Sequence, residues 1–312
     1  MSKVRRVGVI GAGTIGTAWA VLFAVQGIEV RVYDSHPAVL ERTPRVVGAI
    51  LKSLGQAGLR VDPADGMKHL EVVGSLEEAV EDAEWVQESV VETYEAKQEV
   101  FRRADLVVPT QTILASSSSG LSMTRVQAAV TQPGRCLIAH PFNPPYLIPL
   151  VELVPGEKTT ASTLKRARAF MTQLGKTPVV LHREAPGYLA NRLAAALWRE
   201  AIDLVRKGVA SVADVDRAVT AGLGPRWALM GPHLVYHLGG GRGGIKHFVE
   251  HLGPAFESWW SSMDSWVTLP EGVAELLEDG LQEEIGTSDI NDLMVWRDRR
   301  LLELLRVIES PS

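Results

Sequence analysis

Residues 11–16 read Gly-Ala-Gly-Thr-Ile-Gly, and no other stretch constrains the fold of this chain as tightly. They follow a largely apolar, β-branched run from Val4 to Ile10 and precede small and apolar residues, Thr17 to Val25, that suit a packed helix. Strand, tight glycine turn and helix is the setting that a dinucleotide fingerprint requires. Gly11 permits the turn, Gly13 lets the backbone approach a pyrophosphate, and Gly16 allows the helix to pack closely. The helix start at Thr14 and Ile15 offers free N–H groups and a positive dipole end to the phosphates. Beyond Gly27, Ile28 to Tyr33 reads as a second strand with Asp34 at its end. An acid there is placed to bind an adenine ribose 2′-hydroxyl and repels a 2′-phosphate, which favours NAD over NADP. The plainer reading of Asp34 is a surface turn acid, and the βαβ setting weighs against it.

The alternation continues along the chain. A helix is expected over 36–56, a strand over 70–73, a short helix over 75–82 opened by a serine cap with Glu78 three residues on, a strand over 85–91, a helix over 92–108 and a strand over 111–115. This pattern predicts an α/β fold with a Rossmann-type, doubly wound parallel sheet. Ser116 to Ser119 then lie at the carboxyl edge of that sheet, where ligands bind in this architecture. Ser116 to Ser118 read as a solvated turn, and Glu92 with Lys97 as a solvated pair worth little. A helix over 160–174 and a last strand over 177–181 lead to Glu184-Ala-Pro-Gly187, a joint that continues neither element. Past it, Ala190, Leu193, Leu197, Ala201 and Leu204 recur at helical spacing. Further helices are expected over 211–220, 227–238, 245–252, 273–285 and 292–308. The chain is therefore divided into a Rossmann domain, 1–185, followed by an all-helical C-terminal domain, 186–312.

Composition excludes several classes. A net charge of -5 over 312 residues gives no sign of a nucleic-acid binder. No apolar stretch approaches the roughly 20 residues of a membrane span, and Gly8, Gly11 and Gly13 interrupt any signal-peptide core. Cys136 is the single cysteine, which rules out an internal disulfide framework and a cysteine-based zinc cluster. Together these features suggest a soluble, cytoplasmic protein with a small-molecule partner.

Catalytic chemistry is signalled between Arg135 and Pro155. Cys136 to Ala139 reads as a buried strand that stops at His140, because Pro141, Pro144 and Pro145 deny it further ladder hydrogen bonds. Leu150 to Val154 is a second apolar run with Glu152 at its centre, and a carboxylate there is costly unless paired. His140, across the proline-rich turn, is the nearest partner. The pair is either a structural contact or a general base oriented by a carboxylate.

Gly11 to Gly16, Ser116 to Leu121, His140-Pro-Phe-Asn-Pro-Pro145 and Gly187-Tyr-Leu-Ala-Asn-Arg-Leu193 together resemble the L-3-hydroxyacyl-CoA dehydrogenase superfamily, over most of the chain and with its spacing between motifs. Within it, Pro144 to Val154 is similar to lambda-crystallin, the L-gulonate 3-dehydrogenase. Ala196 to Ala201, Arg226 to Gly231 and His237 to Gly244 are similar to bacterial L-carnitine dehydrogenases. Both subgroups act on free 3-hydroxy acids. The resemblance implies an enzyme that oxidises the 3-hydroxyl of such an acid to the 3-keto acid, passing hydride to NAD. It places the catalytic histidine on His140, its glutamate on Glu152, the family serine on Ser119 and the asparagine on Asn191. The nicotinamide-side glutamate and lysine fall on Glu92 and Lys97. A homodimer, built through the helical domain that also binds substrate, is the family expectation.

Alternatives remain open at this point. One is action on CoA thioesters, for which Arg45, Lys52 and Arg60 offer only scattered basic contacts to the CoA phosphates. Another is a non-catalytic, crystallin-like NAD-binding protein. Asn191, read without the resemblance, is a capping or buried structural amide, or a donor to the substrate oxygen. Trp227, Trp259 and Trp260 belong to a late group of tryptophans that serve core and dimer interface or form an aromatic box for a quaternary ammonium. Arg226 is a carboxylate clamp or a helix-start charge. His233, His237, His247 and His251 lack an acid to complete a triad and read as packing and surface residues, so no metal is expected.

Overall fold

The computed structural model describes residues 4–57, 59 and 61–309; Arg60, named above for CoA, lies outside the described residues. The chain divides into two compact units, Met1–Arg192 and Leu193–Ser312.

The first unit runs β1 (Arg6–Ile10), α1 (Thr14–Val25), β2 (Glu29–Tyr33), α2 (Pro37–Gln56), α3 (Pro63–Lys68), β3 (Leu70–Val72), α4 (Leu76–Val80), β4 (Trp85–Glu88), α5 (Tyr94–Val107), β5 (Ile113–Ser116), α6 (Met123–Val126), β6 (Cys136–Pro141), β7 (Leu150–Pro155), α7 (Ala161–Gln173) and β8 (Thr177–Val180). Polar side chains open several of these helices: Ser75, Thr93, Ser122 and Thr160 each accept from a backbone N–H of the first turn. The eight strands form one sheet in the order β3-β2-β1-β4-β5-β6-β7-β8. Pairings from β3 through to β6 are parallel, as expected.

One pairing departs from the parallel pattern. β7 runs antiparallel to β6, with His140 directly opposite Glu152, and β8 follows β7 in parallel. The reason is loop length: residues 142–149 are too few for the crossover of a dozen or more that a parallel connection needs. Several element bounds also shift. Glu92 lies ahead of α5, which Thr93 caps, and β5 extends through Ser116.

Alternation along the strands sorts side chains onto two cores. Val7, Val9, Ile113, Ala115, Leu137, Ala139, Val151 and Leu153 face Trp19, Phe23 and Phe170. The intervening Ile10, Leu114, Cys136, Ile138 and Val154 face Phe101, Met123 and Tyr188. Burial on both faces explains why these strands read as continuous apolar runs.

Two buried cations brace the edges of the β6–β7 hairpin. Arg135, at the start of β6, donates to Asp105 Oδ1 at 2.6 Å and to the Pro109 carbonyl at 2.8 Å. Burial pushes the Asp105 carboxyl up, but the Thr131 hydroxyl and Arg135 outweigh it and hold the group below the usual range. Lys176, 7 % exposed, donates to the carbonyls of Pro145 and Ile148 in the β6–β7 turn, the latter at 2.8 Å.

The second unit carries helices and no strand among its described residues. α8 (Ala190–Arg206) enters it and is followed by α9 (Val212–Ala218), a π-helical turn (Val219–Leu223), α10 (Gly224–Leu229), α11 (Pro232–Gly239), α12 (Gly244–Ser262), α13 (Val273–Ile285) and α14 (Ile290–Glu309). The single helix expected over 227–238 is two, because Met230 is extended and Pro232 starts a new helix. Tyr236 packs on Phe248, ring centroids 4.9 Å apart, to join α11 to α12. Among the described residues, no helix is long and apolar enough to cross a membrane.

Burial lowers the Lys176 ammonium from 10.5 to about 8. Folding therefore buries a charge at a cost below about pH 8, and between there and 10.5 the unfolded chain holds more proton, so stability rises with pH. The unfolding free energy of the native chain, measured relative to Lys176→Met, should climb across this window; a flat or falling difference contradicts the assignment.

Candidate active site

The glycine turn divides its labour as the spacing implies. Gly11 has φ +93° and a Cβ there would come within 2.5 Å of the Ser89 carbonyl oxygen, while one on Gly16 would come within 1.8 Å of the Gly11 oxygen. A Cβ on Gly13 would meet nothing of the chain within 4 Å. Two glycines thus serve the fold, and the third leaves open space at the helix start. Gly13 caps α1 without any side-chain hydrogen bond, and the first turn holds no acid, so its N–H groups remain for an anion. Asp34 stands just past β2, accepting from Ala12 N–H at 2.8 Å and His36 N–H at 2.9 Å. β1 and β4 are sheet neighbours where strand order reverses, the crevice in which doubly wound folds bind ligands. The residues present fit a dinucleotide.

Antiparallel pairing brings the histidine and glutamate together. His140 Nδ1 lies 2.8 Å from Glu152 Oε2, with both side chains buried. The other oxygen of Glu152 accepts from Leu189 N–H at 2.9 Å and Ala190 N–H at 2.8 Å, at the start of α8. Burial pushes the Glu152 carboxyl up, but hydrogen bonds from His140, Ala190 and Leu189 outweigh it and hold the group below its ordinary value. An ionised carboxylate is an acceptor only, so Nδ1 carries the proton and Nε2 of the neutral ring is the free base. These bonds hold Leu189 and Ala190 against β7. Phe142 and Tyr188 meet the imidazole edge-on at 5.2 and 5.5 Å. Tyr188 has φ +52° beside Gly187 at +72°, a left-handed pair that turns the chain into α8.

Ser119 and Asn191 also meet: Asn191 Nδ2 donates to the Ser119 carbonyl at 3.2 Å, leaving the exposed Ser119 hydroxyl at the sheet's carboxyl edge. Glu92 sets this loop by accepting from Ser118 Oγ at 2.6 Å and Ser119 N–H at 2.8 Å. Burial raises the Glu92 carboxyl, yet Ser118, Lys97 and Ser119 together keep it below its ordinary value.

Two readings from the sequence are overturned here. Lys97 is buried, not solvated: its ammonium lies 2.8 Å from Glu88 and 3.2 Å from Glu92. Ser116 and Ser118 are buried too, the former donating to Glu88 at 2.5 Å. Glu88 is the member that sequence reasoning missed. Its only local signal is an acid at the end of a strand, behind Gln87 and ahead of Ser89.

The opposite face of the same edge holds a second polar group. Trp85 Nε1 donates to Gln87 Oε1 at 3.0 Å, and Gln87 Nε2 donates to Ser117 Oγ at 2.8 Å. Ser117 Oγ also accepts from Trp19 Nε1 at 3.1 Å and lies 2.8 Å from Ser89 Oγ.

Arg226 and Trp227 lie on α10, Trp259 and Trp260 on α12, all in the second unit and all exposed. Trp259 and Trp260 both pack on Phe256, with centroids at 4.8 and 5.8 Å, so they form one aromatic cluster.

Comparison with known proteins gives a family for this arrangement. The family described as 3-hydroxyacyl-CoA dehydrogenase, NAD binding domain, matches residues 6–185, and 3-hydroxyacyl-CoA dehydrogenase, C-terminal domain, matches 187–272. An L-carnitine dehydrogenase of Streptomyces griseus is 41% identical over 305 residues, covering 97% of this chain and 90% of that protein. One from Streptomyces coelicolor is 42% identical over 306 residues, covering 97% and 95%. Among solved structures, 5-formyl-3-hydroxy-2-methylpyridine 4-carboxylic acid 5-dehydrogenase, an NAD+ dependent dismutase, superposes with a TM-score of 0.84 at 28% identity, covering 99% of this chain and 100% of that one.

Glu152 accepts three N–H bonds, and glutamine at that position has one acceptor oxygen. Glu152→Gln must therefore orphan buried donors or turn its NH2 toward Nδ1 and move the ring proton to Nε2. Despite equal size, it should lower the unfolding free energy by about 1–3 kcal/mol in denaturant titration. Native-like stability would show that no donor is orphaned, the ring proton having moved to Nε2.

Proposed function

The chain belongs to the 3-hydroxyacyl-CoA dehydrogenase family, and on that premise we propose that it oxidises the 3-hydroxyl of a small free 3-hydroxy acid of the L-carnitine type. The observation that carries this reading is the buried His140–Glu152 pair, and the Ser119–Asn191 contact supports it. Bound NAD supplies the hydride acceptor. The glycine turn and Asp34 hold the dinucleotide. His140 Nε2 takes the proton from the substrate hydroxyl as hydride leaves the same carbon. Glu152 keeps the proton on Nδ1 and faces the positive charge that the ring acquires. Ser119 and Asn191 hydrogen-bond the oxygen as it becomes a carbonyl and fix the carbon for transfer. Glu92 and Lys97 act on the nicotinamide side, through the loop that carries Ser119.

The substrate assignment is supported by the names of the relatives and by residues of the helical unit. Trp259 and Trp260, with Trp227, are proposed to face a quaternary ammonium, and Arg226 the carboxylate. A homodimer belongs to the same proposal, supported by apolar side chains left exposed on the second unit, among them Leu193, Leu197 and Trp198. Sedimentation tests it. A cytoplasmic setting fits use of the cell's NAD pool.

His140→Ala should lower kcat by about 10²–10⁴-fold with NAD affinity within about twofold of native, since the base is lost and the glycine turn is untouched. Near-native turnover would refute the dyad as the base. NAD reduction measured over L-carnitine, L-gulonate, 3-hydroxybutyrate and 3-hydroxybutyryl-CoA tests the substrate. L-Carnitine should give the highest kcat/KM, and Trp259→Ala should raise its KM while sparing 3-hydroxybutyrate. Preference for the thioester would transfer the chain to the CoA-dependent activity.

A further inference from the structure

The hydrogen bonds around Ser117 fix the direction of a proton that no residue role above uses. An indole N–H can only donate, so Trp85 identifies its partner on Gln87 as the carbonyl oxygen Oε1. Nε2 of Gln87 is therefore the amide nitrogen, in keeping with its second bond to the Ala139 carbonyl at 3.4 Å. It donates to Ser117 Oγ, and Trp19 Nε1, which again can only donate, does the same. A hydroxyl has two lone pairs and one proton. With both lone pairs engaged, Ser117 satisfies its 2.8 Å contact with Ser89 in one way, by donating to Ser89 Oγ. Ser89 accepts that bond, and its own proton points out of the network.

Ser89 follows β4 at the point where strand order reverses. Its carbonyl is the atom that a Cβ on Gly11 would strike, and its Cβ lies 3.3 Å from where one on Gly16 would stand. It is half-buried, at the edge of the crevice beside both fold-bearing glycines of the turn. The acceptors expected there are the oxygens of the dinucleotide pyrophosphate and its riboses.

We infer that Ser89 is a cofactor-binding residue whose hydroxyl, oriented as a donor by Ser117, Gln87 and Trp19, bonds an acceptor oxygen of NAD. The inference concerns cofactor affinity and is independent of which hydroxy acid is oxidised. The buried indole and amide donors behind Ser117 are its positioning residues: they leave Ser117 no lone pair with which to capture the Ser89 proton.

Calorimetric titration of the full chain with NAD and with ADP-ribose tests this without turnover. Ser89→Ala should weaken NAD binding by about tenfold, the scale of one hydrogen bond to a charged acceptor. Equal weakening of ADP-ribose places the acceptor on the pyrophosphate or a ribose, and weakening of NAD alone places it on the nicotinamide; both support the role. An unchanged dissociation constant for NAD overturns it. Trp19→Phe tests the orientation, since it frees one lone pair on Ser117 and lets the Ser89 proton turn inward. It should weaken NAD binding by about twofold in the native background, the cost of a proton shared between two directions, and have no effect in Ser89→Ala. The same loss in both backgrounds overturns the oriented donor. If Trp19→Phe does not fold, Ser89→Ala decides alone.

Discussion

The site depends on one carboxylate that must stay charged without water. Glu152 is fully buried, and three N–H groups stand in for its hydration: the His140 ring, and the backbone of Leu189 and Ala190. They come from two separate constraints. The ring arrives because a short proline-rich turn forces β7 antiparallel to β6. The two amides arrive because Gly187 and Tyr188 turn left-handed and expose the first N–H groups of α8. Removing one donor leaves the rest under-compensated in a low-dielectric site, so ring tautomer, hairpin register and helix start are specified together.

What was legible in the sequence was chemistry written into consecutive residues or into one misplaced charge. The glycine turn and Asp34 carry their own local geometry, and Glu152 announces itself as an acid in an apolar strand. The direction of β7 was legible too, in the number of residues between Pro141 and Leu150, but the alternation of elements obscured it. Lys97 was not, because the acids that bury it lie on β4 and in the loop before α5, and a solvated lysine has the same local sequence. Ser117 was not either: its partners come from α1, β4 and the edge beyond, and only the assembled sheet brings them within reach.

Both polar groups at the sheet edge solve the same problem in different ways. On the α5 side, one ammonium is shared by two acids: Lys97 lies between Glu88 and Glu92, and Glu92 passes the constraint to the backbone of Ser119. On the α1 side no member is charged, and the chain of donors and acceptors is closed by counting protons. A charged group beside the phosphates of a dinucleotide would add attraction or repulsion over a long range, whereas a neutral relay adds direction alone.

The alternation that sorts apolar residues into two cores has a further consequence at this edge. Glu88 and Gln87 are adjacent in β4, Ser116 and Ser117 in and just after β5, and the pleat sends each neighbour to the opposite face. A slip of one position in the pairing of these strands would not loosen the wiring gradually; it would exchange it, setting the acid beneath the indoles and the amide beside a buried ammonium. Insertions and deletions in β4 or β5 are therefore opposed by electrostatics as well as by packing, and the pleat acts as the switchboard between the two faces of the sheet.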